Sequence, residues 1–423
     1  MSAKIVFMQS VYFDMVGCRL NQAEIESMAR DFAARGFRVV DQPIMADLIV
    51  VNTCCVTLKA AADSRKMLRH YQSQTKARVV GTGCWNTAFP AQADMILGAA
   101  NQIPNRAKDM LAATFSDSPL AEDQIAGIQL GRRQRTRAFV KVQDGCNNRC
   151  SYCLTQIARG PSQSESVEGI VNIINQLVEN GIKEVVLTGV QIGSWGKDLG
   201  NYRLHDLLDT ILERTNIPRL RLSSIEPWDV TEDLLERFDN PRFCPHLHIP
   251  IQSGSEKVLR DMRRPLAKSD LSALIEMVRT SRPGVAITTD IIVGFPGETQ
   301  ADLDETLEFI ESNQFVGGHV FKFSPMPGTE AHAMPNQVQE SVRKVRLKQV
   351  QSLFDDLMNR ALARKIGLSQ EVLFEASRGG VYEGYTPDYF RVKTNASCIM
   401  TNTIHKILIK SVFPDGKLEG IIA

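Results

Sequence analysis

The stretch TRAFVKVQDGCNNRCSYC, residues 136–153, decides how this chain is read. Phe139–Val142 is a short apolar run with strand character. Cys146, Cys150 and Cys153 follow it in the spacing C-x3-C-x2-C. Thiolates are the usual ligands of iron–sulfur clusters, and one short loop can wrap several of them around a single cubane. A 4Fe-4S cluster held by three thiolates keeps one iron open to a substrate or cosubstrate. Zinc would want a fourth Cys or His close by, and none lies between Lys141 and Leu204 apart from these three.

Outward from this stretch the pattern is strand then helix. Phe139–Val142, Glu184–Leu187, Leu220–Leu222, Leu247–Ile251, Ala286–Val293 and Val320–Phe323 read as strands. Val167–Glu179, Glu232–Phe238 and Ala301–Ser312 read as helices, and Gln337–Ala363 as a long closing helix. Six βα units in succession curve into an incomplete barrel, with function at the C-terminal strand ends. Upstream, candidate strands Tyr12–Val16, Leu48–Val51, Arg78–Val80 and Met95–Leu97 alternate with helices Gln22–Arg35 and Ala60–Ser73. That alternation predicts a parallel sheet with crossover helices. Downstream, Glu371–Phe374, Tyr389–Val392 and His405–Ile409 are short runs separated by Gly379-Gly380, Gly384 and Pro414-Asp415-Gly416. They predict a small antiparallel barrel. The expected fold class is α/β, in three domains joined by a linker. An N-terminal parallel α/β domain spans 1–115, a linker 116–131, a central partial (βα)6 barrel 132–365 and a small β-barrel 366–423.

Composition sets the bounds. Apolar residues are 43% and charged residues 23%, as in an ordinary globular chain, which argues against long disorder. No run approaches the ~18–20 apolar residues of a transmembrane helix. The N-terminus is broken by Gln9, Ser10 and Asp14 and lacks a small-residue cleavage site, so the expected location is cytoplasmic, with no membrane partner. Forty-nine basic and 48 acidic residues give a net charge of +1, so a nucleic-acid partner has to rest on local patches. Nine cysteines fall far short of a disulfide scaffold, and an odd count without a signal peptide points to metal or redox chemistry.

The cysteine motif after the first strand of a partial βα barrel resembles the radical S-adenosylmethionine (SAM) superfamily. The resemblance implies that the open iron binds the amino and carboxylate groups of SAM. One electron then cleaves SAM to methionine and a 5′-deoxyadenosyl radical, which removes hydrogen from unactivated carbon. Motifs at later strand ends agree. Thr188-Gly189-Val190-Gln191 follows the second strand, where the family places backbone contacts to SAM, and a glycine allows close backbone approach. Ser223-Ser224-Ile225-Glu226-Pro227 ends the third strand, Pro250-Ile251-Gln252-Ser253-Gly254 the fourth, and Gly294-Phe295-Pro296-Gly297-Glu298 the fifth. Gly189, Gln191, Ser224, Glu226 and Gln252 are the SAM-contact candidates.

A second set of cysteines shares one context. Gly17-Cys18, Thr53-Cys54 and Gly83-Cys84 each follow a short apolar strand. They are too far apart for one loop, yet strand C-termini of a parallel sheet lie on one edge, where the three can converge. Three buried thiols packing as small hydrophobes is the equal alternative from the residues alone. Three such cysteines, a radical SAM core and a small β-barrel tail together resemble the methylthiotransferases over nearly the whole chain. That implies a second 4Fe-4S cluster on Cys18, Cys54 and Cys84, carrying a sulfur nucleophile. One SAM methylates this sulfur, a second activates the acceptor carbon, and methylthio replaces hydrogen. Neighbouring residues leaving a strand point oppositely, and the resemblance favours Cys54 over Cys55. Cys244 and Cys398 read as packing residues, and His246 and His248 as strand-end core histidines.

Branches of the family differ in acceptor. Cys18-Arg19-Leu20-Asn21-Gln22 with Glu24 and Glu26, residues 136–145, and Gly384-Tyr385-Thr386 with Tyr389-Phe390 look most like the branch acting on threonylcarbamoylated adenosine 37 in the anticodon loop of tRNA. The alternatives are isopentenyladenosine 37, an aspartate of a ribosomal protein, or, in another class, a non-catalytic RNA-binding iron–sulfur protein. The resemblance also implies an electron donor such as flavodoxin or ferredoxin, and a sulfur source. The chain departs from the family pattern at Arg149, usually aromatic, at Gln156-Ile157, usually Pro-Tyr, and at Met326, commonly basic. Two basic stretches offer phosphate contacts. One comprises Arg132, Arg133, Arg135, Arg137 and Lys141; the other is residues 341–365, with Arg343, Lys344, Arg346, Lys348, Arg360, Arg364 and Lys365 against Asp355 and Asp356. A solvated helix face accounts for the second equally well. The tail from 366 balances six basic against six acidic residues. In the family this tail is a TRAM domain that helps hold the substrate.

Overall fold

A computed structural model describes residues 9–116, 136–396 and 400–422. Most of the expected linker, Arg132, Arg133, Arg135 and Cys398 lie outside the described residues. The chain forms two compact units. The first takes in residues 9–116 with Asp144–Asn148 and Cys153–Pro161; the second takes in residues 136–143, Arg149–Tyr152 and the described residues from Ser162 onward.

In the first unit four parallel strands run in the order β2-β1-β3-β4: β1 Ser10–Met15, β2 Arg38–Val39, β3 Leu48–Thr53 and β4 Arg78–Gly83. β3 is buried along its whole length, as a central parallel strand covered on both faces should be. Helix α1, Arg19–Ala34, lays Ile25, Met28 and Phe32 on the sheet at helical spacing. There the Phe32 ring meets Phe13 and Phe37 edge-on. Helix α2, Leu58–Gln74, is capped by Thr57, whose hydroxyl accepts from the Ala60 amide. Met95–Leu97, expected as a strand, lies instead in a helix, Pro90–Leu97. Pro90 presets its first turn, and Ala93 and Leu97 share the buried face while Met95 is 81% exposed.

The second unit holds six parallel strands, Arg137–Lys141, Glu184–Thr188, Arg219–Leu222, His246–His248, Ala286–Val293 and Gly317–Lys322. They pair in two groups of three, bridged at Leu220–Phe243 and Ser224–His248. This is the expected incomplete barrel. Its apolar core gathers Val140, Leu187, Leu222, Leu247 and Ile291 with helices such as Val167–Glu179 and Leu204–Arg214. A long helix, Glu340–Ala363, follows the sixth strand. The tail is a closed five-stranded barrel of Ser369–Arg378, Val381–Tyr385, Arg391–Asn395, Ile404–Val412 and Leu418–Ile422. It is not wholly antiparallel, because Val392 and Lys393 pair with Leu418 and Glu419 in parallel to close it.

The tail packs on the N-terminal ends of the barrel strands, away from the strand ends that carry the motifs. Tyr389 stacks on His246 and Tyr385, and the Arg221 and Arg137 guanidiniums lie over the Tyr389 and Tyr385 rings at 4.7 and 4.5 Å. Arg221 donates to Glu184 at 2.7 Å and to the Pro387 carbonyl at 2.8 Å. Arg219 donates to the Tyr385 carbonyl. The aromatic residues of this loop are therefore engaged in docking the tail.

Candidate cluster and SAM sites

In the first unit, β1, β3 and β4 are adjacent and parallel, so the residues that follow them share one sheet edge. In the order 2-1-3-4 the chain switches direction of winding between β1 and β3, the place where open α/β sheets form their crevice. Cys18 is the N-cap of α1, Cys54 follows Thr53, and Cys84 opens a short helix, α3 (Cys84–Ala88). Gly17 adopts φ +111°, and a Cβ there would stand 2.6 Å from both Cβ and Sγ of Cys54. Gly83 has φ +95°, and its Cβ would press on Asn52 Oδ1 and the Thr53 backbone at 2.4 Å. Each glycine therefore lets one cysteine-bearing turn close against the next strand. Ser64 of α2 pins the middle turn, accepting from the Cys54 amide and donating to its carbonyl, both at 3.0 Å.

Burial pushes the Cys54 thiol up to about 12, with Cys18 adding to the rise, and pushes the buried Cys55 upward too. Among the described residues no group of three Cys, His, Asp or Glu stands close enough to hold one ion. Cys54 and Cys55 are both buried, at 3% exposure each. Cys54 is the one set against Gly17, the residue before Cys18.

Beside these thiols lies a feature that the amino-acid pattern does not announce. Arg159, from the helix Thr155–Arg159, spends its whole guanidinium inside the first unit. Nε donates to Cys84 Sγ at 3.1 Å, one terminal nitrogen to Glu24 and Asp144 at 2.7 Å each, the other to Asn21 Oδ1 at 2.9 Å. Lys108 joins the same two carboxylates, reaching Asp144 at 2.9 Å. Asn52 donates to Glu24 at 2.9 Å, and Asn105 to Cys84 Sγ at 3.7 Å. The result is a buried quartet of two acids and two bases. Burial works against both carboxylates, yet Arg159 and Lys108 hold them below the ordinary range. In the sequence Glu24 stands out only as part of a motif and Arg159 only within Ala158-Arg159-Gly160. Lys108 carries no signal there, because a lone lysine in a polar stretch looks solvated.

The C-x3-C-x2-C loop is divided between the units: Cys146 and Cys153 belong to the first, Cys150 to the second. In the first, the Cys146 amide donates to the Gly160 carbonyl. In the second, Arg264 donates to Glu226 at 2.6 Å and to the Pro250 carbonyl at 2.8 Å, approaches Cys150 Sγ at 3.9 Å and lies over the Trp228 ring. The third and fourth strand ends are thereby cross-tied.

Gly189 and Gln191 meet at Gln143. A Cβ on Gly189 would stand 2.8 Å from Gln143 Oε1, which accepts from the Gln191 amide at 2.9 Å. The glycine thus makes room for a neighbouring side chain. Ser224 is exposed and bridges to His248. Gln252 sits at φ +72°, a strained value for a non-glycine residue, its amide donating to the Asp290 carbonyl. His246 is buried, whereas His248 shares hydrogen bonds with Thr288 at 2.9 Å and pairs with Asp290 at 3.1 Å.

The basic stretch 341–365 is divided, with Lys344, Lys348, Arg360 and Arg364 exposed and the others turned to the protein. Arg346 is buried against Glu298, Arg343 pairs with Glu340, Arg360 with Glu311 and Lys365 with Asp388. Of the departures from pattern, Met326 is buried, whereas Arg149 and Ile157 are exposed.

Comparison with known proteins fits this layout. Residues 140–310 match the Radical SAM superfamily and residues 10–101 the Uncharacterized protein family UPF0004. The chain is 36% identical to threonylcarbamoyladenosine tRNA methylthiotransferase MtaB of Thermotoga maritima, covering 97% of each chain. The chain belongs to the tRNA methylthiotransferase family. Other members it resembles are MtaB of Bacillus subtilis, 33% identical over 98% of this chain and 97% of the relative, and tRNA-2-methylthio-N(6)-dimethylallyladenosine synthase of Bartonella quintana, 32% identical over 95% and 94%. Among solved structures, the radical SAM methyltransferase TsrM of Kitasatospora setae, with cobalamin and a [4Fe-4S] cluster bound, superposes with a TM-score of 0.57. It covers 89% of this chain and 80% of that one at 13% identity, a likeness of fold. No described helix of this methylthiotransferase is long and apolar enough to cross a membrane.

Proposed function

We propose that this enzyme converts N6-threonylcarbamoyladenosine at position 37 of tRNA to its 2-methylthio derivative, using one SAM as methyl donor and a second as radical source. The observation that carries the reading is likeness to threonylcarbamoyladenosine methylthiotransferases along almost the entire chain, with all six motif cysteines in place. Cys18, Cys54 and Cys84 would hold one 4Fe-4S cluster, and Cys146, Cys150 and Cys153 the other. When bound, these groups supply the sulfur to be transferred and the electron that cleaves SAM.

The donor sets fit. Cys18, Cys54 and Cys84 are free thiols on one sheet edge, with a guanidinium already donating to one sulfur and no competing disulfide. Gly189, Gln191, Ser224, Glu226 and Gln252 would contact SAM at the barrel strand ends. Arg264 holds Glu226 in place by a charge-assisted bond. Ser64 and the two glycines hold the cysteine turns, and burial excludes water from Cys54. We assign residues 1–115 to the sulfur-donating domain, 132–365 to the SAM domain and 366–423 to the TRAM-like tail. The partners are tRNA, a flavodoxin- or ferredoxin-like electron donor and a sulfur source, met in the cytoplasm.

The reaction class is tested by reducing the protein anaerobically with SAM and following 5′-deoxyadenosine. The wild type should form it and Cys150→Ala should not. Full cleavage by Cys150→Ala would refute the assignment of the SAM site.

A further inference from the structure

Arg159 follows the second cysteine motif along the chain and lies inside the first unit. It follows Cys153 by one short helix, and it ends on Cys84. Its side chain is 3% exposed, and every nitrogen has a protein acceptor: Cys84 Sγ, Glu24, Asp144 and Asn21. Asn21 in turn stands 3.9 Å from Cys18 Sγ and donates to the Val16 and Thr53 carbonyls at 2.8 and 3.1 Å. One guanidinium thus touches the turn after β4 directly, and the turns after β1 and β3 through one intermediary.

The charge balance matters as much as the contacts. Glu24 and Asp144 neutralise Arg159 and Lys108 within the quartet. Thiolates of Cys18, Cys54 and Cys84 holding a cluster would add negative charge beside Arg159, and its Nε–H bond to Cys84 would become charge-assisted and stronger. Reduction of a cluster adds one more electron there. Hydrogen bonds to the sulfurs, net charge and solvent exposure are the levers by which a protein sets a cluster's potential.

We propose that Arg159 is a positioning residue of the Cys18/Cys54/Cys84 site that raises its reduction potential, by donating to the Cys84 sulfur and by fixing a buried positive charge next to it. This rests on the assignment of a cluster to those three cysteines. Lysine would keep the charge but, with one ammonium on a flexible stem, cannot serve Cys84, Asn21, Glu24 and Asp144 at once. Glutamine would lose the charge as well.

The experiment uses the full chain carrying Cys146→Ala, Cys150→Ala and Cys153→Ala, reconstituted with iron and sulfide, so that one site alone gives a signal. Its midpoint is read by redox titration with electron paramagnetic resonance, beside iron content and thermal unfolding. We expect the midpoint to move to lower potential in Arg159→Lys and further in Arg159→Gln. The Lys variant keeps the quartet neutral, so it reads the bond geometry even where the Gln variant fails to fold. An unchanged midpoint in an iron-loaded Lys variant would overturn the role given to the Cys84 bond. The same midpoint in both variants and the parent would overturn the proposal entirely. If the parent with Arg159 intact binds no iron, the cluster assignment itself is wrong.

Discussion

Gly17 and Gly83 show how little room the proposed sulfur-donating site leaves. Each combines a left-handed φ with a backbone approach that a single methyl group would block. Alanine at 17 would push Cys54 off its place and force strained backbone geometry, costing roughly 1–3 kcal/mol. The consequence for function exceeds that for stability. Gly17→Ala should lose most of the iron of one site, so that bound iron per reconstituted chain falls towards half while SAM cleavage continues. Full iron in Gly17→Ala would mean that Cys54 is not a ligand. At this scale the C-x3-C-x2-C spacing stands out in the sequence, whereas Cys18, Cys54 and Cys84 read equally as packed thiols until the family resemblance is added. Arg159 and Lys108 do not stand out. A buried cation is identified by the acids that surround it, and Glu24 and Asp144 come from distant parts of the chain.

Strands and helices are legible where periodicity is strong and ambiguous where a few residues have to decide. Glu184–Thr188 and Ala286–Val293 follow their apolar runs closely. Pro90–Leu97 looks like a strand at its end, since a three-residue apolar run is alike in both structures and only the burial of Ala93 with Leu97 separates them. The start of the second barrel strand carries a testable electrostatic element. Glu184 is fully buried, and burial alone would raise its carboxyl. Arg221, with Arg137 and Arg219 beyond it, holds it below the usual glutamate range instead. A carboxylate lowered on folding contributes stability that is complete above its unfolded value of about 4.3 and is lost as pH falls through the folded value. Thermal unfolding of the wild type should therefore be flat in this contribution from neutral pH down to about 5 and decline in stronger acid. Glu184→Gln leaves Arg221 buried without its counter-ion and should cost about 3–5 kcal/mol at neutral pH. Its acid decline should be shallower than that of the wild type. Equal melting of the two proteins at pH 7 would show that the pair contributes nothing.

At the scale of the molecule, the tail barrel is foreshadowed by its short runs and turns, but two of its strands, Val381–Tyr385 and Leu418–Ile422, are not. Both are brief and mix glycine and acid with apolar residues, so they surface only when the barrel closes. Nor do the runs foretell that Tyr385 and Tyr389 face the strand starts of the SAM domain. Removing the Tyr389 ring should free the tail: Tyr389→Ala loses stacking on His246 and two arginines, roughly 3 kcal/mol. Limited proteolysis after Ala363 should then release the tail faster than in the wild type, and equal release would assign the docking to other contacts. The central claim remains the reaction on tRNA. It is tested most directly by mass spectrometry of tRNA nucleosides from cells lacking their own methylthiotransferases, with and without this protein. 2-Methylthio-N6-threonylcarbamoyladenosine should appear when the protein is present. Appearance of the isopentenyl derivative alone would contradict the choice of acceptor, and no methylthiolated nucleoside from a protein with both clusters loaded would contradict the reaction on tRNA.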